Sequence, residues 1–312
     1  MGLINALVVT TLPYVPKWLV AALSNRYIAG DSLAHAITVC RNLNKLGAMA
    51  TIDLLGEQIK DADKAADNVT QYFAIWDAIV AHRLDANVSL KPTSFGATFD
   101  LDLCQANIRK IVDKAAAAGQ WLTIDMEDHP YTDLTLKLYH ALRQEFPKNI
   151  GTVLQAYLKR TGDDAGQIVK GGPTNLRLCK GIYREPDTIA FKDKRTINAN
   201  YLTTLELLLA QGAYVGIATH DDILVNGALQ LIQKYKLPRE QYEFQMLLGV
   251  RPELRDRLLK LGHRLRIYVP FGKDWYAYSL RRLKENPSIA GSVIRGLLFD
   301  RHEHQLKSTA KS

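Results

Sequence analysis

Cysteine is scarce: Cys40, Cys104 and Cys179 are the only three, odd in number, far apart and without a C-x-x-C spacing. Neither a disulfide framework nor a zinc site is supported, and a reducing cytosolic compartment fits best. Cys179 stands inside an apolar run, which predicts a buried, inert thiol rather than a nucleophile. No G-x-G-x-x-G opens a helix after a strand and no G-x-x-x-x-G-K-[ST] loop occurs, so a Rossmann dinucleotide site and a P-loop are not expected. H-E-x-x-H is also missing, and THDD and DMED make no metal site without defined partners. The chain lacks Gly/Ser linkers, low-complexity tracts and repeats.

Charge of one sign is in excess, with 40 Lys and Arg against 32 Asp and Glu, but it is not gathered into a stripe. Nor is it interleaved with exposed aromatics as a single-strand binder requires, so nucleic acid is not an expected partner. The most hydrophobic stretch, LINALVVTTLPYVPKWLVAALS near the N-terminus, is broken by Pro13, Pro16 and Lys17. It falls short of the roughly 20 apolar residues of a membrane span and lacks the basic leader of a signal peptide. Trp18 and Tyr14 beside Lys17 would suit an anionic membrane surface. The two prolines favour instead a cap over the main domain, formed by residues 3 to 22.

With 312 residues and 47% hydrophobic content, the chain is long enough for one α/β barrel. The pattern GDSLAHAITVCRNLNKLG predicts a helix capped by Asp31 or Ser32 and ended by Gly47. Eight short apolar or branched runs follow: 48 to 57, 87 to 96, 121 to 128, 151 to 160, 176 to 183, 214 to 222, 242 to 249 and 264 to 272. Helical periodicity fills the spaces at 58 to 84, 101 to 118, 131 to 145, 198 to 211, 222 to 235 and 252 to 261. Eight β-then-α units imply parallel strands with right-handed crossovers, and eight closes a barrel. The expected organisation is a helical segment over 1 to 45, a (β/α)8 barrel over 46 to 300 and a polar tail over 301 to 312.

In a closed barrel the ends of the strands converge. Lys91, Asp125, Glu127, Gln155, Lys159, Arg177, Lys180, Tyr183, Thr219, His220, Glu243, Gln245 and Tyr268 are therefore expected at one mouth. Gln155 and Arg177 are the most informative, since a polar group amid VLQAY or LRLC must be paired if it points inward. The stretch YVPFGKDWYAYSLRRLKE is predicted to run as a strand, turn at Pro270 and Gly272, and continue from an Asp274 N-cap as a helix. On that helix Tyr278, Arg281, Arg282 and Glu285 share one face, and paired guanidiniums suit a small carboxylate.

LRLCKGIYREP, ATHDD, YEFQMLLGVRPEL, RLRIYVPFG and YAYSLRRLKENP together resemble the proline dehydrogenase (proline oxidase) family in its monofunctional bacterial form. IDLLGE, LKPTSFG, IDMED and LQAYLKR extend the likeness upstream, from about Arg26 to Leu298. The resemblance implies a distorted (β/α)8 barrel with its last helix over the mouth, holding FAD noncovalently. It implies oxidation of L-proline to Δ1-pyrroline-5-carboxylate, with electrons passed to a quinone and the product taken on by a pyrroline-5-carboxylate dehydrogenase. It further implies that Lys91, Arg281 and Arg282 bind the proline carboxylate, and that Tyr183, Leu247, Tyr268 and Tyr278 wall the ring. Arg177 would sit at the flavin's hydride-accepting nitrogen, while Gln155, Lys180, Gly181, Thr219, His220 and Glu285 would contact FAD and Asp125 would anchor the cations. Ile182 stands where the family often has alanine, and Arg184 where bifunctional relatives have an aromatic. Two other classes compete: a Schiff-base aldolase using Lys91 or Lys180, and a non-catalytic protein bound to anionic membrane. The expected location is cytoplasmic, and peripheral at the inner membrane face if the N-terminal segment binds lipid.

Overall fold

Helix α1, Leu33–Lys45, starts where the Ser32 hydroxyl accepts from the His35 amide, and it buries Ala36, Val39, Cys40 and Leu43 at helical spacing. Of the two candidate caps, Ser32 is therefore the one used, and Gly47 follows the last turn. In this computed structural model the residues described are 26–172, 174–276, 278 and 279. The expected N-terminal cap, the clamp residues Arg281 and Arg282, Glu285, most of the last helix and the polar tail lie outside them.

Eight strands alternate with helices from there on. In chain order they are β1 Met49–Leu54, α2 Ala62–Ala81, β2 Ala86–Leu90, α3 Leu101–Ala117, β3 Leu122–Ile124, α4 Thr132–Glu145, β4 Ile150–Gln155 and α5 Thr161–Lys170. They continue with β5 Asn175–Cys179, α6 Lys194–Ala210, β6 Tyr214–Ala218, α7 Asp222–Lys234, β7 Tyr242–Leu247, α8 Pro252–Lys260 and β8 Leu265–Phe271. Every strand pairs in parallel with its neighbour, and β8 returns to β1 with Met49 opposite Arg266, so the sheet is a closed barrel. The (β/α)8 expectation is thus the observed fold.

The local reasons repeat around the ring. Asp61, Asp100, Asp193 and Asp221 each accept amide hydrogen bonds at the start of α2, α3, α6 and α7, satisfying donors that a helix N-terminus leaves open. β1, β2 and β4 are buried along their whole length, as strands covered on one side by helices and on the other by the barrel interior must be. The main core lies between barrel and helices, where Trp76, Tyr72, Tyr139 and Tyr201 are the largest fully buried side chains. Inside, the barrel is polar: Thr51 donates to Asn87 at 2.6 Å, and Arg266 grips Glu243 at 2.7 Å.

The structure differs from expectation in four places. Strands end earlier than predicted, because residues such as Lys91 and Asp125 through Asp128 leave the ladder to form the rim. α5 is a helix that no predicted segment covers; it is short and carries Gly162 and Gly166, but it buries Thr161, Ala165 and Ile168 on one face. α6 begins at Lys194, on its Asp193 cap, rather than at 198. Finally, Pro270 lies within β8 instead of turning it. Its carbonyl accepts from Ala29 at 2.9 Å on the side where β7 has already ended, so the missing N–H costs no ladder bond.

Candidate active site

At the C-terminal end of the barrel opens a cavity of about 710 Å³. All twelve described residues among the expected site groups line it. Lys91, Asp125, Arg177, Tyr183, Leu247, Tyr268 and Tyr278 do so together with Gln155, Lys180, Gly181, Thr219 and His220. Three residues expected at the mouth do not. Glu243, the second residue of β7, lies deep in the barrel against Arg266 and Tyr214. Glu127 turns away onto the Thr93 amide and hydroxyl, and Lys159 is exposed beyond the end of β4.

The floor is a row of alternating charges. Lys91 Nζ lies 3.1 Å from both Asp53 oxygens and 3.7 Å from Asp125 Oδ2. Asp125 Oδ1 in turn accepts from Arg177 Nη1 at 2.6 Å and from the Ser89 hydroxyl at 2.5 Å. Burial pushes the Asp53 carboxyl up, opposed by the Lys91 ammonium. Burial also disfavours the Lys91 ammonium, but Asp53, Tyr268 and Asp125 outweigh it and hold the amine well above its ordinary value. Lys91 is therefore charged, and it stands between the Asp53 and Asp125 carboxyls, with Arg177 on the far side of Asp125.

Tyr268 arches over this row, with its Oη 3.4 Å from Lys91 Nζ and its ring 5.6 Å from the Arg177 carbon. Arg177 Nε donates to Gln245 at 2.6 Å, whereas its Nη2 is buried with no partner among the described residues. This guanidinium nitrogen therefore keeps an unsatisfied donor.

Beside the row, the exits of β4, β5 and β6 form a second wall. Gln155 is held by the Glu127 carbonyl at 3.0 Å. Gly181 has φ +100°, and a Cβ there would lie 2.1 Å from the Tyr157 ring, so neither backbone nor space admits a side chain. Lys180 pairs with Asp221 at 2.6 Å. Burial alone would raise the Asp221 carboxyl, yet Lys180, the Ile223 amide and Lys194 hold it below the usual carboxylate range. Cys179 is half-buried and lines the cavity, contrary to its expected full burial, but burial pushes its thiol up to about 11, so it stays protonated and inert as expected.

His220 accepts the Leu247 amide on Nε2 at 3.0 Å, which leaves Nδ1 to carry the proton of a neutral ring. Burial, aided by Arg251, lowers its pKa to about 4. The folded value lies below the ordinary one of about 6.5, so between them the unfolded chain binds more protons. His220 therefore contributes stability above about pH 6.5 that is lost as pH falls towards about 4. Melting temperature is expected to drop across that window, and to drop less in His220→Gln, whose amide oxygen can accept from Leu247 without titrating. Equal slopes in both proteins would show that the destabilising proton goes elsewhere.

Sequence reasoning missed Asp53, Ser89 and Tyr27. Asp53 carried the same signal as Arg177, a charge in the middle of an apolar strand run, TIDLL. Tyr27 belongs to a strap, residues 26–30, tied to the barrel rim by Ala29 N to Pro270 O, Gly272 N to Gly30 O and Arg26 Nε to Gly249 O. Its neighbour Ile28 packs with Leu55, Tyr278 and Trp275, which brings the start of the last segment to the same wall.

Comparison with known proteins places this geometry in a family. The model of the family described as Proline dehydrogenase matches residues 36–295. Proline dehydrogenase 1 of Bacillus subtilis (strain 168) is 40% identical over 278 residues, covering 88% of this chain and 90% of that protein. Proline dehydrogenase of Deinococcus radiodurans is 36% identical over 280 residues, with 88% and 90% covered. The crystal structure of proline utilization A (PutA) from Bdellovibrio bacteriovorus inactivated by N-propargylglycine superposes with a TM-score of 0.83 at 23% identity, which speaks to the fold. That match covers 96% of this chain but 38% of the longer PutA chain. By family model and by identity over nearly its whole length, the chain belongs to the proline dehydrogenase family of oxidoreductases.

Proposed function

We propose that this protein oxidises L-proline to Δ1-pyrroline-5-carboxylate, the first step of proline catabolism, with noncovalent FAD and with a quinone as final electron acceptor. The observation that carries the reading is the row of alternating charged groups ending on Arg177, which lines the cavity and whose buried Nη2 has no partner among the described residues. The lining fits a flavin: a fixed cation, a glycine wall at Gly181 where nothing protrudes, a neutral His220 and the Lys180 ammonium. FAD, when bound, supplies the two-electron acceptor for hydride leaving the ring carbon beside the proline nitrogen.

The protein's share is positioning and charge. Arg281, Arg282 and Lys91 hold the carboxylate, Tyr183, Leu247, Tyr268 and Tyr278 wall the ring, and Asp125 anchors Lys91 and Arg177. Gln155, Lys180, Gly181, Thr219, His220 and Glu285 hold the cofactor. Because Lys91 is already engaged by Asp53 and Asp125, the substrate carboxylate relies chiefly on Arg281 and Arg282. Arg177 offsets negative charge as it develops at the cavity edge. The product then passes to a pyrroline-5-carboxylate dehydrogenase. We place the enzyme in the cytoplasm, meeting its quinone at the inner face of the membrane; among the described residues no helix is long and apolar enough to cross one.

The Schiff-base alternative loses support from the same geometry, since Lys91 is held charged and Lys180 is tied to Asp221. The deciding experiment is the visible spectrum of the purified protein, which should carry a flavin band that bleaches when L-proline is added without oxygen. A colourless protein that reconstitutes with no flavin overturns the proposal. Arg281→Met and Arg282→Met should each raise the proline requirement with FAD still bound. A charge-assisted hydrogen bond contributes about 1.5–3 kcal/mol, or about ten- to a hundredfold in kcat/KM. Normal kinetics in both variants would put the carboxylate site elsewhere.

A further inference from the structure

We propose that Gln245 is a positioning residue that fixes the orientation of the Arg177 guanidinium in the cavity wall. The inference rests on the reading above that Arg177 serves the bound cofactor. β7 turns Glu243 and Gln245 inward, two residues apart on one face. Glu243 is fully buried and is gripped by Arg266 Nε at 2.7 Å, Arg266 Nη2 at 3.1 Å and Tyr214 Oη at 2.7 Å. Burial would raise its carboxyl, but Arg266 prevails and keeps it below the usual range, so it is an anion.

Gln245 bridges that anion to the cation above it. Its Nε2 donates to Glu243 Oε1 at 2.7 Å, and its Oε1 accepts from Arg177 Nε at 2.6 Å. A carboxylate cannot donate and a guanidinium cannot accept, so the charges at the two ends dictate which way the amide faces. A glutamate in its place would set a second carboxylate against Glu243; the amide relays the contact without adding charge.

Space for the bridge comes from the next strand. Gly216 pairs in register with Glu243, and a Cβ on it would lie 2.3 Å from Gln245 Nε2 and 2.7 Å from its Cδ. Because both ends of the amide are pinned, it has nowhere to retreat. Arg177 is thus held at Nε by Gln245 and at Nη1 by Asp125 and Ser89, contacts on two nitrogens of a planar group that together with the Tyr268 ring fix its orientation. Without Gln245 every remaining hydrogen bond would fall on Nη1, and Nε would lose the contact that stops the group turning about that end.

Two variants and two readouts test this. In protein selectively labelled at arginine, Arg177→Lys assigns the Arg177 Nε–H resonance, which should exchange slowly in the wild type and rapidly in Gln245→Met and in Gly216→Ala. Stopped-flow reduction by proline should slow about tenfold or more in both, with KM for proline changed less than about twofold. A rapidly exchanging Arg177 Nε–H in the wild type overturns the proposal even if neither variant folds. An unchanged signal in a folded Gln245→Met overturns it as well, as does a raised KM with an unaltered reduction rate, which would make Gln245 a substrate contact. Since the resonance is read without substrate, it reports on Gln245 even if the protein does not oxidise proline, so the two failures are distinguishable.

Discussion

On the proposed function, Arg177→Ala should slow reduction of the flavin by about 10²–10³-fold, the loss typical when one preorganised donor to a developing negative charge is removed. Binding of an unreactive proline analogue should survive, because the substrate carboxylate is assigned to other cations. The size of the effect follows from where Arg177 sits: its side chain is 11% exposed, so water cannot replace the lost charge in the same geometry. An unchanged rate in stopped-flow absorbance would remove Arg177 from the reaction altogether.

Asp125→Ala should produce the second large effect, on stability as well as on turnover. The carboxylate is the one group touching Lys91, Arg177, Ser89 and Tyr268 at once. Taking it away leaves two cations facing each other across the cavity floor with Asp53 alone to offset them. Removing one partner from a buried ion pair costs about 3–5 kcal/mol, and the nearness of the mouth argues for the lower end, about 3 kcal/mol. Urea unfolding should register the loss, and Asp125→Asn should recover part of it by retaining an acceptor for Arg177. A midpoint equal to wild type would mean that the row is held together by Asp53 instead.

What could be read in advance depended on whether a property is local. Branched and apolar runs marked all eight strands because burial on both faces removes polar residues from them. Their ends were blurred because the rim residues, Lys91 and Asp125 among them, follow the strands without a break in the pattern. Direction was the harder matter. Glu243 and Gln245 look alike in YEFQMLLG, and only the height of each residue in the closed barrel puts Gln245 at the cavity and Glu243 beneath it. Glu127 follows Asp125 by two residues, yet the chain has left the ladder by then and the side chain turns to Thr93. Asp53 was legible by the very argument applied to Arg177. Tyr27 was not, since nothing in the order of residues says that the strap crosses to β8.

That strap joins the two ends of the described chain. The contact from Arg26 to Gly249 spans 223 positions, and the wall it completes needs Tyr27 from one end and Tyr278 from the other. During synthesis from the N-terminus the early βα units can pair as they emerge, but β1 waits for β8 before it has its second neighbour. The ligand cavity is consequently the last part of the barrel to exist, and a nascent chain stalled before β8 has no closed pocket in which to retain a cofactor.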